Sequence, residues 1–356
     1  MNRNNAALDS DRPLTIFLVV LLLSAIVIRL LGFRYRLNAD LVHFVIPWTR
    51  LIDEQGLTGL YEGISRQADW ALGLLAKGGE GVAGIHNADR PVDVTYNYTP
   101  FYSYLLSLFG VLPFGEAVRV KIISVVFDVI MACGIYRIVR RNAGTRFEPR
   151  LAFSLTFLLP TVFMNSSWWG QMDAIFTAFL IWAVYFILDR RNLWACLFGG
   201  IALGVKFQPI FFAPVLLPLL LLRRLRLREL LNVITGYVAT FVPAFFMGYP
   251  VSFVVLRYGA NFLRSTHHWA LGATAYSIFG RGPPEGASTP FLFICIVLPL
   301  LVSASVYVLH SRHLRETAGG ASTQLSDADI IGVRGILQHG HRLLPAFHAR
   351  TLLLCV

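Results

Sequence analysis

Three ionisable side chains stand where apolar runs of this chain end: Asp40 in "RYRLNADLVHFV", Asp173 in "SSWWGQMDAIF" and Lys206 in "GGIALGVKFQP". Each has an ordinary use. The two aspartates could cap the helices that follow them, and Lys206 could extend its ammonium to a membrane surface along its apolar stem. Chemistry is the other reading, because an ionised group at membrane depth costs about 2.5–3.5 kcal/mol even on a lenient scale and tends to mark a pathway or a site. A carboxylate near headgroup level that is kept from full hydration can take the proton of a hydroxyl, and Asp40 is the candidate. Asp173 and Lys206 have amide neighbours, Gln171 and Gln208.

Other residues join these with less force. Arg34 and Arg36 sit at the far end of the first apolar run, against the orientation rule for basic residues, and binding an anionic ligand would explain them. "YNYTPFYSYLL" brings Tyr96 and Asn97 to a helix start, with Pro100 suited to an early helical position; an aromatic interface anchor is the plainer reading. Trp168 and Trp169 fit an interfacial belt, and Trp169 is kept as a substrate candidate. His267 and His268 are adjacent, so both rings cannot face one metal from a regular helix, and a divalent metal is possible but unsupported. "GGEGVAG" has neither a preceding strand nor a Lys-Ser/Thr ending, so it reads as a flexible loop and not a phosphate loop. Asn97 and Asn165 also stand in N-x-S/T sequons.

The elements that must hold these groups are apolar. Among 356 residues, 56% are hydrophobic and 14% charged, and the mean hydropathy of +0.61 excludes an ordinary soluble domain. The net charge of +11 does not point to nucleic acid, because the arginines cluster at the ends of apolar runs, where they report membrane orientation. The four cysteines, Cys133, Cys196, Cys295 and Cys355, stand singly and suggest neither disulfides nor a thiolate metal site.

The expected fold is therefore an all-α integral membrane protein with about eight transmembrane helices, near 14–31, 118–138, 150–164, 172–188, 193–206, 209–222, 230–248 and 290–309. Residues 1–13 form a cytoplasmic amino terminus, retained and not cleaved as a signal peptide. Residues 14–310 form the membrane domain, with a first external loop of about 33–117 carrying amphipathic helices on the outer surface. A polar tail covers 311–356. Setting the basic clusters at Arg137/Arg140/Arg141, Arg190/Arg191 and Arg223/Arg224/Arg226/Arg228 in the cytoplasm sends Asp40, "WWGQMD" and "KFQP" to the opposite face. The short run 100–113 then lies on the outer surface without crossing.

The order of these segments resembles a known family. An early external Asp, "YNYTPFYSYLL", "NSSWWGQMDAIFTAFLIWAVYFIL" and "GGIALGVKFQPIFFAPVLL" together are similar to the GT-C glycosyltransferases, most closely to bacterial proteins of the GPI mannosyltransferase II type. The corresponding family pattern runs Y-N-Y-x-P-x-Y-x-Y-L-L, W-G-Q-x-D and K-x-Q-P. The resemblance covers about Asp40 to Leu222 and weakens at "HHWALGATAYSIFG". Near the end, "LLPAFHARTLLLCV" keeps Pro345, His348 and Arg350 but has Ala349 where a glutamate is expected.

Membership would imply transfer of a hexose such as mannose, with inversion, from a polyprenyl-phosphate donor to a lipid-, glycan- or protein-linked acceptor on the outer face of a bacterial plasma membrane. Asp40 would be the base. Lys206, with Arg34, Arg36 or His267, would meet the departing phosphate, and Gln171, Asp173 and Gln208 would orient sugar hydroxyls. Two rivals stay open: a transporter or flippase for lipid-linked sugars, which the absence of an internal repeat disfavours, and a non-catalytic relative, which the altered carboxyl terminus favours.

Overall fold

The computed structural model describes residues 3–35, 38–76, 98–221, 224–251 and positions 300, 301, 304, 305 and 308. The proposed span 290–309 therefore falls mostly outside the described residues, as do the 311–356 tail and the "HHWALGATAYSIFG" segment. All regular structure among the described residues is helical, and the chain is an all-α, multi-pass membrane protein.

Helix α1 spans Arg3–Phe33. Within Pro13–Phe33 its most apolar 18-residue stretch has a mean hydropathy of 2.8, with only 17% of that stretch buried against the rest of the protein. Leu23, Val27, Leu30 and Leu31 stand exposed on it, as a lipid-facing helix requires. Helix α4, Glu116–Arg140, and the stretch Leu227–Phe246 are also long and apolar enough to cross. That stretch holds α10, Leu231–Ala239, and α11, Val242–Phe246.

The expected span 150–164 is not one straight helix. α5, Phe147–Leu158, and α6, Pro160–Phe163, with the turn after α6, meet at a 48° bend. Pro160 lacks the N–H that would continue the ladder, and its ring pushes Leu159 into an extended conformation with ψ 130°. The block from Leu193 to Leu222 is likewise divided. α8, Asn192–Val205, ends at Lys206, and α9, Ala213–Leu221, follows a 3-10 turn at Gln208–Phe212. α7, Asp173–Leu188, α8, and α9 taken together with its 3-10 turn are apolar helical stretches of 10–17 residues, shorter than a full bilayer crossing asks.

Before α4 the chain forms α2, Ile46–Ala76, which breaks at Gly56, and the ten-residue α3, Pro100–Phe109. Trp48, Ile52, Leu60, Tyr61 and Ile64 of α2 join Tyr102 and Leu106 of α3 and Val120 and Ile123 of α4 in one core. The α8–α10 contact is closer still. A Cβ on Gly200 would lie 2.1 Å from the Val233 carbonyl oxygen, and one on Gly236 would lie 2.2 Å from that of Leu197. Small residues let these two backbones touch where larger side chains would force them apart.

The bundle has two chemically distinct ends. At one, Arg141 just past α4 donates to Asp189 and, at 2.7 Å, to the carbonyl of Leu188, the last residue of α7. Arg191 pairs with Asp189 at 2.8 Å, and Asn192 donates to the Arg224 carbonyl at 2.7 Å. All three basic clusters thus meet there. α7 then runs its 16 residues, about 24 Å, away from that end to Asp173.

Candidate functional site

Asp40 and the "WGQMD" turn each adjoin a π-helical turn. One, Leu41–Val45, starts directly after Asp40. The other, Met164–Trp168, directly precedes Trp169 and Gly170. A π turn accommodates an extra residue and re-aims the side chains beside it, a device frequent at functional sites. Gly170 completes the turn with φ +68°, and a Cβ there would meet Leu41 at 3.2 Å. Its missing side chain permits both the left-handed backbone and the approach of the Asp40 segment.

The result is a bond between distant segments: the Gln171 side-chain amide donates to the Asp40 carboxylate at 2.9 Å. Asp40 remains exposed and its carboxylate caps no helix. Its backbone N–H is instead received by Asn38 Oδ1 at 2.8 Å. Two residues beyond Gln171, the Asp173 carboxylate accepts from Lys206 Nζ at 2.5 Å and from Asn165 Nδ2 at 3.2 Å. Capping is therefore not the task of Asp173 either, and Lys206 turns to this carboxylate from the extended backbone that ends α8. The Lys206 ammonium lies 5.8 Å from the Phe176 ring and 5.9 Å from that of Tyr98, within reach of a cation–π attraction.

"YTP" ties the groups together. Thr99 Oγ1 donates to the Val205 carbonyl at 2.9 Å, next to Lys206. The Tyr98 ring stacks edge-on against Trp48 at 5.5 Å and Tyr102 at 5.4 Å. Asp40, Leu41, Val45, Tyr98, Tyr102, Gly170, Gln171 and Met172 line a small hollow between the Asp40 segment, α3 and the turn.

Beneath the turn lies a set of anchors that sequence reasoning missed. Ser124 of α4 donates to the Gln171 carbonyl at 2.7 Å. Lys121 is fully buried and donates to the carbonyls of Gly32, at 2.8 Å, and Tyr35 at the end of α1. Deeper, Asp128 Oδ2 receives Arg29 at 3.0 Å and Ser166 Oγ at 2.5 Å, and the Arg29 guanidinium lies 3.5 Å from the centre of the Phe157 ring. Trp168 donates its indole N–H to the Ile28 carbonyl at 3.2 Å and packs on Tyr35. It joins the turn to α1. Arg29 and Asp128 were visible as charges inside apolar runs, which is the signal that could have flagged them. Asn165, which stands in an N-x-S/T sequon, is partly buried with its amide donating to Asp173.

Asp40, Gln171, Asp173 and Lys206 are thus joined through one turn. Gln208, Arg34 and Trp169 are not: all three are exposed, and none makes a side-chain hydrogen bond or ion pair among the described residues. Tyr96, Asn97, Arg36 and His267 lie outside the described residues. Among those described, no three His, Cys, Asp or Glu side chains converge as a metal site requires.

Known proteins supply the wider setting. No solved structure matches the chain. It is 26% identical over 238 residues to GPI mannosyltransferase 1 of Kluyveromyces lactis, a match taking in 61% of this chain and 58% of that protein. The chain therefore spans little more than half the length of this curated relative. The pattern of glycosyltransferase family 87 matches residues 96–325, which begins at "YNYTP" and takes in the "WGQMD" turn and Lys206. With well over half its length matched, the chain belongs to glycosyltransferase family 87.

Proposed function

We propose that the chain is a membrane glycosyltransferase that moves a hexose, mannose first among the candidates, from a polyprenyl-phosphate donor to a lipid-, glycan- or protein-linked acceptor. The reaction inverts the anomeric centre and takes place at the bundle end opposite the arginine clusters. By the orientation of basic residues, that end faces away from the cytoplasm. The roles follow from what each step demands. An acceptor hydroxyl needs a base as it attacks, and Asp40, exposed and oriented by Gln171, is the carboxylate offered to one. The departing phosphate gathers negative charge and needs a cation. Lys206 has three N–H donors and spends one on Asp173, so two remain for phosphate oxygens. Asp173, with Asn165, would fix the ammonium between turnovers and accept from sugar hydroxyls during them.

One observation carries this reading: the Gln171–Asp40 bond puts a solvent-reachable carboxylate on the same turn as the Asp173–Lys206 pair. A general base contributes about 10²–10⁴-fold to such a reaction. Asp40→Asn, inserted at normal levels into vesicles with labelled mannosyl phosphoryl polyprenol, is expected to lose transfer by a factor in that range. Wild-type transfer by this variant would remove Asp40 from the mechanism.

A further inference from the structure

Three tyrosines crowd the contact of α2 and α3, and two have hydroxyl partners. Tyr61 shares a 2.8 Å hydrogen bond with Ser103, and Tyr104 accepts from the Ala244 backbone N–H at 2.8 Å. Tyr102 differs. It is 1% exposed, and its phenolic oxygen has no hydrogen-bond partner among the described residues. Buried hydroxyls are paired in the great majority of proteins, and an orphan calls for an explanation. The place supplies one, because Tyr102 lines the same hollow as Asp40 and Gln171; with its walls closed the hollow has no room for a water, so a ligand that reaches the hydroxyl must part them.

We propose that the Tyr102 hydroxyl is a substrate contact, hydrogen-bonding a sugar hydroxyl of the molecule whose other hydroxyl meets Asp40. This rests on the glycosyltransferase reading above and adds a specificity determinant to it. The surroundings suit the task. Tyr98 stacks edge-on against the ring at 5.4 Å, fixing its direction, while Leu41, Val45 and Met172 give the hollow apolar walls, against which an unmatched hydroxyl is costly. Burial, then the neighbouring Tyr98, raise the phenol's pKa well above its usual value, so it stays protonated and able to donate. A site that pairs a substrate hydroxyl in this way rejects analogues lacking it, since the protein group would be left orphaned.

The inference separates function from stability. A hydroxyl bonded within the protein stabilises it, whereas an orphan does not, so Tyr102→Phe should leave the melting temperature of the ligand-free full chain unchanged or raised. In lipid nanodiscs the same variant should bind methyl α-mannoside about tenfold more weakly than wild type and lose about tenfold in kcat/KM for transfer from mannosyl phosphoryl polyprenol. Among the monodeoxy methyl mannosides, one should bind wild type about tenfold more weakly than the parent sugar yet bind Tyr102→Phe as well as the parent does. A melting temperature lowered by several degrees, equal mannoside affinity in both proteins, or no mannoside binding by wild type would overturn the contact. Transfer by wild type alongside any of these would leave the transferase reading intact. A binding difference with no transfer by either protein would keep the contact and sink the transferase.

Discussion

Two carboxylate–cation pairs flank the same turn, and they differ in what surrounds them. Arg29 and Asp128 have side chains 4% and 1% exposed, inside the bundle beneath "SSWW". Lys206 and Asp173 have side chains 20% and 36% exposed, at the rim. Both carboxylates take a second donor from the Asn165–Ser166 dipeptide, Ser166 for Asp128 and Asn165 for Asp173. The chemistry is almost the same, but the consequences are not. Charges removed from solvent are held to each other by the cost of separating them, so the inner pair fixes α1 and α4 to the π turn. A rim pair is screened and its partners can be exchanged, so it can open to a ligand. One motif thus has a fixed side and an exchangeable side.

Breaking the inner pair should show the largest effect. Asp128→Leu leaves Arg29 charged and buried, and a loss of about 3–5 kcal/mol is expected, measured by thermal or denaturant unfolding in detergent. The double variant Arg29→Leu with Asp128→Leu removes both charges and should recover most of that loss. A double variant no better than either single would mean that the pair's role is something other than mutual neutralisation. At the rim the expectation reverses. Lys206→Met should cost transfer by about 10²–10³-fold, the range for one preorganised charge-stabilising donor, with the melting temperature nearly unchanged. Should Lys206→Met unfold the protein while keeping specific activity in the folded fraction, the two pairs would be of one kind and the comparison would collapse.

How much of this was legible in the sequence follows the same division. "WWGQMD" and "KFQP" were legible as places because charged and amide groups interrupt apolar runs, and their shared end of the bundle followed from where the arginines cluster. That Lys206 meets Asp173 was not legible, since a contact across 33 positions depends on how α7 and α8 pack, and periodicity says nothing of partners. Asp128 was passed over because one carboxylate hardly disturbs the apolar character of a 25-residue helix, though its cost there made it a signal. The bend at Leu159 was written in Pro160, and reading 150–164 as continuous gave hydropathy more weight than backbone chemistry. Tyr102 could not be told from Tyr98 or Tyr104 within "YTPFYSY", because only packing decides which hydroxyl finds a partner.

A third pair gives the smallest expected effect and the sharpest control. Arg141 and Asp189 pair at the basic end with side chains 27% and 25% exposed, close to the rim pair in exposure but remote from the turn. Asp128 and Arg141 belong to α4 and its cap, about 20 Å apart along the axis, so the two pairs share a scaffold and differ in depth. If burial decides stability and position decides function, Arg141→Ala should cost no more than about 1 kcal/mol and leave transfer at the wild-type rate. The unfolding midpoint should lie nearer to wild type than to Asp128→Leu, with added salt shrinking the difference because exposed charges are screened. A loss as large as that of Asp128→Leu would show that the Arg141 link to the Leu188 carbonyl holds α4 to α7 independently of charge. The fixed and exchangeable pairs would then have to be distinguished by the helices they join, with exposure no longer the deciding variable.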